Sequence, residues 1–266
     1  MKIASVIAES LLKAGGYEIF TYNLLAMLAE AGHDVTLYVT DREFRKHKTF
    51  YTSLPFGVRP LMWKFMSVHK RLPALTNRWL RREQKKHGYD LWQVMGAYPE
   101  AAMVQGLSGI VPLVLRTHGD DVQAVPELGY GLRLDPEKDR AIRKAIRAMD
   151  VVIALTPGIE ADLEDLGVSR ERIATIPNGI NCEYLGRPRD HAATRRKWKI
   201  PEDAFLLLSV GRNHPKKGFD LIPTIASGLK NAGKDFRWLV VGKDTDALCK
   251  RFANEACRSM CGPSTA

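Results

Sequence analysis

Long hydrophobic runs are the first thing this sequence lacks. No apolar stretch approaches the roughly 20 residues that carry a helix across a membrane. The apolar opening, residues 1–8, is too short for a signal peptide and shows no cleavage pattern. A cytoplasmic protein is the expectation. Cysteine is scarce: of four, Cys182 stands alone, and Cys249, Cys257 and Cys261 crowd the carboxyl end without the paired spacing of a zinc site. Reduced thiols are expected. The Gly-x-Gly-x-x-Gly fingerprint is missing, which argues against a dinucleotide cofactor. There is no internal repeat and no low-complexity tract. What is present is ordinary for a folded protein: 45% apolar and 26% charged residues in 266, enough for two domains with real cores.

Short apolar runs alternate with amphipathic stretches almost throughout. Residues 2–8 read as a strand, Tyr17 to Ala31 as a helix stopped by Gly32, and 34–40 as a second strand. Residues 41–72 are broken up by Pro55 and Pro60 and yield no clear element. Further on, 74–86 reads as helix, 90–95 as strand, and Pro99 to Leu107 as a helix begun by proline. Strand 111–116, helix 136–149, strand 150–155, helix 157–166 and strand 172–176 follow. Such alternation implies a parallel sheet with helices on both faces. Residues 1–181 therefore read as one Rossmann-like domain and the polar 182–203 as a linker. Residues 204–266 read as part of a second such domain, with strands at 205–210 and 236–241 and helices at 217–232 and 245–256. The tail from Cys257 reads as neither helix nor strand.

The net charge of +10 is unevenly spread. From Arg59 to Lys86 there are nine Lys and Arg residues against Glu83 alone, and Trp63, Phe65, Met66 and Trp79 lie among them. Two readings stand. Trp63, Lys64, Arg78, Trp79, Arg81 and Arg82 form a docking surface for an anionic membrane or acceptor; or this is a solvated helix face whose aromatics pack inward. No recognition motif supports nucleic acid as a partner.

The stretch Ser209 to Gly218 follows an apolar strand and carries Arg212, Lys216 and Lys217. A glycine-bounded basic loop between a strand and a helix N-terminus can hold phosphate, though many such loops are merely basic turns. Asp244-Thr-Asp246 has the form of a metal-binding pair, but its place at a predicted helix start reads as capping. The run 228–235 falls short of a P-loop, because Asp235 replaces Ser/Thr and the run ends a helix. Asp120 and Asp121 read as a solvated loop pair.

Taken in order, Gly15-Gly-Tyr-Glu18, Asn23 to Val35, His118-Gly119, Thr156-Pro157, Pro177-Asn-Gly-Ile180, Val210-Gly-Arg212, Lys216-Lys-Gly218 and Val240-Val-Gly242 resemble the retaining GT-B glycosyltransferases of family 4. That resemblance implies an α/β, GT-B type fold with a complete N-terminal Rossmann-like domain and a partial second one. It implies sugar transfer from a nucleotide-diphosphate sugar, as co-substrate, to a glycan or lipid-linked acceptor, with no metal. Gly15, Gly16, Arg212 and Lys217 correspond to residues that meet the donor diphosphate, His118 to an active-site histidine, and Asn178 and Gly179 to a donor-site or hinge element. Two departures stand out. Asn181 takes the place of the usual Asp, and the Glu-x7-Glu motif of the second domain occurs nowhere. The alternative is a catalytically silent relative that acts as a binding module, or one that needs a partner chain to complete the second domain.

Overall fold

The computed structural model describes residues 1–13, 15–61, 73–245 and 260–262, which fall into two compact units, Met1–Gly179 and Ile180–Ala266. In chain order the first unit runs β1 (Lys2–Val6), α1 (Gly16–Glu30), β2 (Asp34–Thr40), α2 (Asp41–Lys46), α3 (Lys48–Thr52), β3 (Gly57–Leu61), α4 (Pro73–His87) and β4 (Leu91–Met95). It continues with α5 (Ala102–Val104), β5 (Leu113–Arg116), α6 (Pro136–Arg147), β6 (Val151–Ala154), α7 (Pro157–Asp165) and β7 (Ile173–Thr175). All seven strands are parallel, in the order β3-β2-β1-β4-β5-β6-β7. This is an α/β, Rossmann-like parallel sheet.

Strands covered on both faces have little polar side to show, so β1, β2 and β4 are buried along most of their length and mostly apolar, with Ser5, Thr36 and Gln93 as buried polar exceptions. The pleat divides their side chains between two cores. Val35, Leu37 and Val39 of β2 face one side with Leu25 of α1 and Tyr51 of α3. Tyr38 turns to the other, where Leu80, Trp92, Ile142, Ile146 and Leu163 gather from α4, β4, α6 and α7. Tyr38 stacks on Trp92 at 5.2 Å, and the Trp92 Nε1–H donates to Gln84 Oε1 at 2.7 Å, so this large ring is both packed and satisfied.

Helix starts are local. Asp135 and Thr156 accept from the first-turn N–H groups of α6 and α7, and Pro136 and Pro157 open those helices. The segment expected as a helix from Pro99 to Leu107 is a chain of short helical turns with α5 at its middle.

Two strands depart from the sequence reading. β3 lies inside the stretch that yielded no element. It is an edge strand, largely exposed, and Pro60 costs it no ladder bond that a central strand would need. β10 (Met260–Gly262) falls in the tail read as irregular, and pairs parallel with β9.

The second unit holds α8 (Cys182–Leu185), α9 (His191–Lys197), β8 (Leu206–Val210), α10 (Ile222–Asn231), β9 (Arg237–Val241) and β10, its sheet ordered β10-β9-β8. Residues 182–203, read as a linker, thus carry two short helices within this unit. Asn181 caps α8 by accepting from Tyr184 N at 2.8 Å, a task Asp would do equally well. The helix expected at 217–232 begins only at Ile222, after two single turns. The helix expected at 245–256 lies outside the described residues, apart from Thr245. No described helix is long and apolar enough to cross a membrane.

Truncating Trp92 to Ala should lower the unfolding free energy by about 3–5 kcal/mol, the usual cost of emptying a large aromatic site; urea denaturation of the purified variant measures it.

Candidate active site

An open parallel sheet binds ligands outside the carboxyl ends of its strands, where the strand order reverses. Here that place lies between β1 and β4. The β1 end leads to Gly15 and Gly16, and the β5 end runs straight into Thr117-His118-Gly119.

Gly15 is the N-cap of α1 and Gly16 its first residue. Neither has a positive φ, so the backbone does not call for glycine there. At Gly15 an added Cβ would collide with the Glu18 carboxylate; at Gly16 it would meet nothing within 4 Å. Open space therefore lies against the start of a 15-residue helix, where N–H groups favour an anion.

His118 sits above that helix start. Tyr17 meets its ring edge-on at 4.5 Å, and Phe20 lies at 6.2 Å. Its Nε2 is buried and has no hydrogen-bond partner. Burial, with Arg116 beside it, pushes the imidazole down to about 4, so it is neutral at physiological pH and free to bond a hydroxyl. Gly119 follows with φ +100°, a conformation that lets the chain turn away at once.

Two buried carboxyls hold this edge together. Asp121 accepts from His118 N at 2.8 Å and from Ala97 N at 2.9 Å. Glu100 accepts from Ala8 N at 2.8 Å and lies 3.1 Å from the Tyr17 hydroxyl, which also bonds Met95 O. The expected solvated pair is thus corrected: Asp120 is exposed, while Asp121 is buried and ties the β4 and β5 loops to each other. Burial pushes Glu100 up to about 8 and Asp121 up to about 6. The Tyr17 hydroxyl is placed to donate to Met95 O or to Glu100 Oε1.

Arg116, the last residue of β5, completes the cluster. Its Nη2 donates to Asn178 Oδ1 at 2.7 Å and to Ile176 O at 3.3 Å, and its guanidinium lies 4.1 Å over the Phe20 ring. So Gly15, Gly16, His118 and Asn178 gather at one edge of one sheet. Glu100, Arg116 and Asp121 are the members the sequence reading missed. Nothing local marks them, and only their strand-end positions could have suggested them.

In the second unit Arg212 and Lys217 are exposed on the loop after β8. An added Cβ on Gly211 would lie 3.9 Å from the Lys217 stem, so the two cations flank that glycine. Among the described residues neither cation makes a hydrogen bond or ion pair. Gly211 and Gly242 serve each other: a Cβ on Gly242 would collide with the Gly211 backbone, where Gly211 N donates to Val241 O at 2.9 Å. Asp244 has φ +61°, and Asp246 lies outside the described residues.

On α4, Arg78, Arg81, Arg82 and Lys85 line a surface cavity of about 480 Å³ with Asn77, and Arg81 Nε also donates to Gly106 O at 3.2 Å. Trp79 does not join them. It is partly buried and packs against the core, edge-on to Tyr38 at 5.9 Å. Trp63 and Lys64 lie outside the described residues.

Residues 14–184 match Glycosyltransferase Family 4. The chain belongs to that family. A D-inositol 3-phosphate glycosyltransferase of Acidothermus cellulolyticus is 28% identical over 253 residues, covering 86% of this chain and 54% of the relative. Among solved structures, Anabaena HepE in complex with UDP-glucose superposes with a TM-score of 0.70 at 18% identity, over 98% of this chain and 68% of its own. The lipopolysaccharide-biosynthesis glycosyltransferase WaaG does so with a TM-score of 0.63 at 19% identity, over 98% and 69%. The family-4 chain spans about half, or less, of the length of the curated relatives it matches.

The buried carboxyls make stability depend on pH. Glu100 is raised in the fold from 4.5 to about 8, so the native state holds a proton the unfolded chain has lost. Its contribution is fully present below the unfolded value and is lost as pH rises through the folded one. His118 has the opposite sign: its contribution is present above 6.5 and is lost as pH falls through about 4. Glu100→Gln, which cannot ionise, should gain stability relative to the native chain between pH 5 and pH 8. The slope is at most about 1.4 kcal/mol per pH unit, read from urea midpoints across that range.

Proposed function

We propose that this protein transfers a sugar from a nucleotide-diphosphate sugar to a membrane-associated or polysaccharide acceptor, with retention of anomeric configuration. The observation that carries the reading is His118: a neutral imidazole with an unpartnered, buried Nε2, at the carboxyl end of β5 and against the glycine-led start of α1. Such a nitrogen can bond a sugar hydroxyl without adding charge where an oxocarbenium-like centre would form. Arg212 and Lys217 would neutralise the leaving diphosphate, a task for which unpaired cations on the loop after β8 are suited. No metal is needed in this scheme. Asn178 and Gly179, at the end of the first unit, would act as the donor-site or hinge element. The complex of HepE with UDP-glucose supports a nucleotide sugar as donor.

The acceptor side rests on charge. Arg78, Arg81, Arg82 and Lys85 on α4 offer an anionic lipid surface several cations at once. WaaG's part in lipopolysaccharide assembly supports an acceptor of that kind. The protein would then work peripherally on the cytoplasmic membrane face.

A second reading has its own support. Among the described residues Leu208 and Val210 of β8 are 59% and 69% exposed, as a sheet face awaiting cover would be. In that reading the chain binds without turnover, or a partner chain completes the second unit. Turnover of UDP-sugars by the purified chain alone decides against it.

Two outcomes follow from the first reading. Lys217→Ala should weaken UDP-glucose binding at least about tenfold by calorimetry, the loss of a charge-assisted contact. Gly16→Ala should do likewise while leaving the unfolding free energy within about 1 kcal/mol, since Ala suits a helix better than Gly. Separately, vesicles containing anionic lipid should sediment the protein and neutral vesicles should not; Arg81→Glu with Arg82→Glu should abolish the difference.

A further inference from the structure

Among the described residues Arg116 is the only buried basic side chain, at 2% exposure, and no carboxylate pairs with it. A buried cation without a counter-charge is costly, and a core position at a strand end would ordinarily hold an apolar residue. Its surroundings show what it does instead. One guanidinium reaches three elements: β5, which carries it; α1, through the Phe20 ring at 4.1 Å; and the segment after β7, through Ile176 O and Asn178 Oδ1. Phe20 in turn lies against His118, so the stack runs Arg116, Phe20, His118. Its Nε stays buried and unpartnered, so the side chain is held by Nη2 and the ring alone.

We infer that Arg116 is a positioning residue for the transfer reaction: by clamping Phe20 and Asn178 it fixes His118 against α1 and anchors the boundary segment Asn178–Gly179 to the same strand end. The inference rests on the reading of His118 as a site residue. Lysine cannot replace it, because a point charge neither stacks flat on Phe20 nor donates in-plane to two acceptors. The cation also opposes protonation of His118. The other groups facing the imidazole are Tyr17 and Phe20 of α1, Asp121 on its own backbone N–H, and Glu100 behind Tyr17.

The test separates charge from clamp. Arg116→Met, Arg116→Lys, Asn178→Ala and His118→Ala are compared with the native chain, using UDP-glucose as the probe donor and NMR titration of the His118 imidazole. Arg116→Met should raise the His118 midpoint by about one pH unit, as loss of a neighbouring cation does. It should also lower kcat at least about tenfold, with KM for UDP-glucose changed less than about threefold, since the lost contact orients rather than binds. Arg116→Lys should restore the midpoint but not kcat. Asn178→Ala, which leaves the core untouched, should lower kcat several-fold with the midpoint unmoved. A folded Arg116→Met protein with midpoint and kcat within twofold of native overturns the inference, as does full rescue by lysine. If Arg116→Met does not fold, native turnover by Asn178→Ala overturns it. Should UDP-glucose not be turned over, NMR contacts decide: Phe20–His118 ring contacts at native strength in Arg116→Met overturn the clamp, and their loss supports it. Native activity in His118→Ala would instead remove the reading of His118, a result the Arg116 variants cannot mimic.

Discussion

Loop N–H groups at the carboxyl edge of the large sheet have no strand to bond, and two buried carboxyls take them. Asp121 receives Ala97 and His118; Glu100 receives Ala8 and lies against Tyr17. A buried donor left without a partner costs about 1–3 kcal/mol, so the loops after β1, β4 and β5 hold their shapes only while these two side chains stay in place. Everything that makes the edge a site depends on this. The bond to Asp121 sets the backbone of His118, and the bond to Glu100 sets Tyr17, whose ring fixes the imidazole.

The arrangement also sets the charge of the site. Burial keeps Glu100 largely protonated and His118 neutral near pH 7, so the first unit offers a hydrogen-bonding surface with little net charge around the imidazole. Exposed cations are placed elsewhere, on the loop of Arg212 and Lys217 and on the exposed face of α4. A sugar and a diphosphate ask for different surroundings. Hydroxyls are matched by directed neutral partners, and phosphate by positive charge and open N–H groups. On the proposed reading both kinds are present: the neutral imidazole and the open N–H groups of α1 on the first unit, and the cations Arg212 and Lys217 on the second.

Much of this was legible in the chain. Runs such as Val35 to Val39 and Leu91 to Met95 announce buried strands because a strand covered on both faces has no polar side to show. Asp135-Pro136 and Thr156-Pro157 announce helix starts because caps act on neighbours two and three residues away. β3 escaped notice for the converse reason: an edge strand tolerates proline and polar residues, so its pattern is that of a loop. Trp79 was ambiguous among its basic neighbours, and only the position of Tyr38 shows that its ring belongs to the core.

The sequence by itself indicated most of the order of elements and the parallel α/β sheet, and it marked Gly15, Gly16, His118, Asn178, Arg212 and Lys217 as candidate positions, since each of these signals is written in residues close together along the chain. Tertiary structure alone decided that Asp121 is a buried tie and Asp120 a solvated one, that Glu100 reaches Ala8 across 92 positions, and that Arg116 meets Asn178 across 62. The physical reason is that burial and partnership belong to strand ends brought side by side in the sheet. A carboxylate or guanidinium reads the same in sequence whether water or three backbone groups surround it.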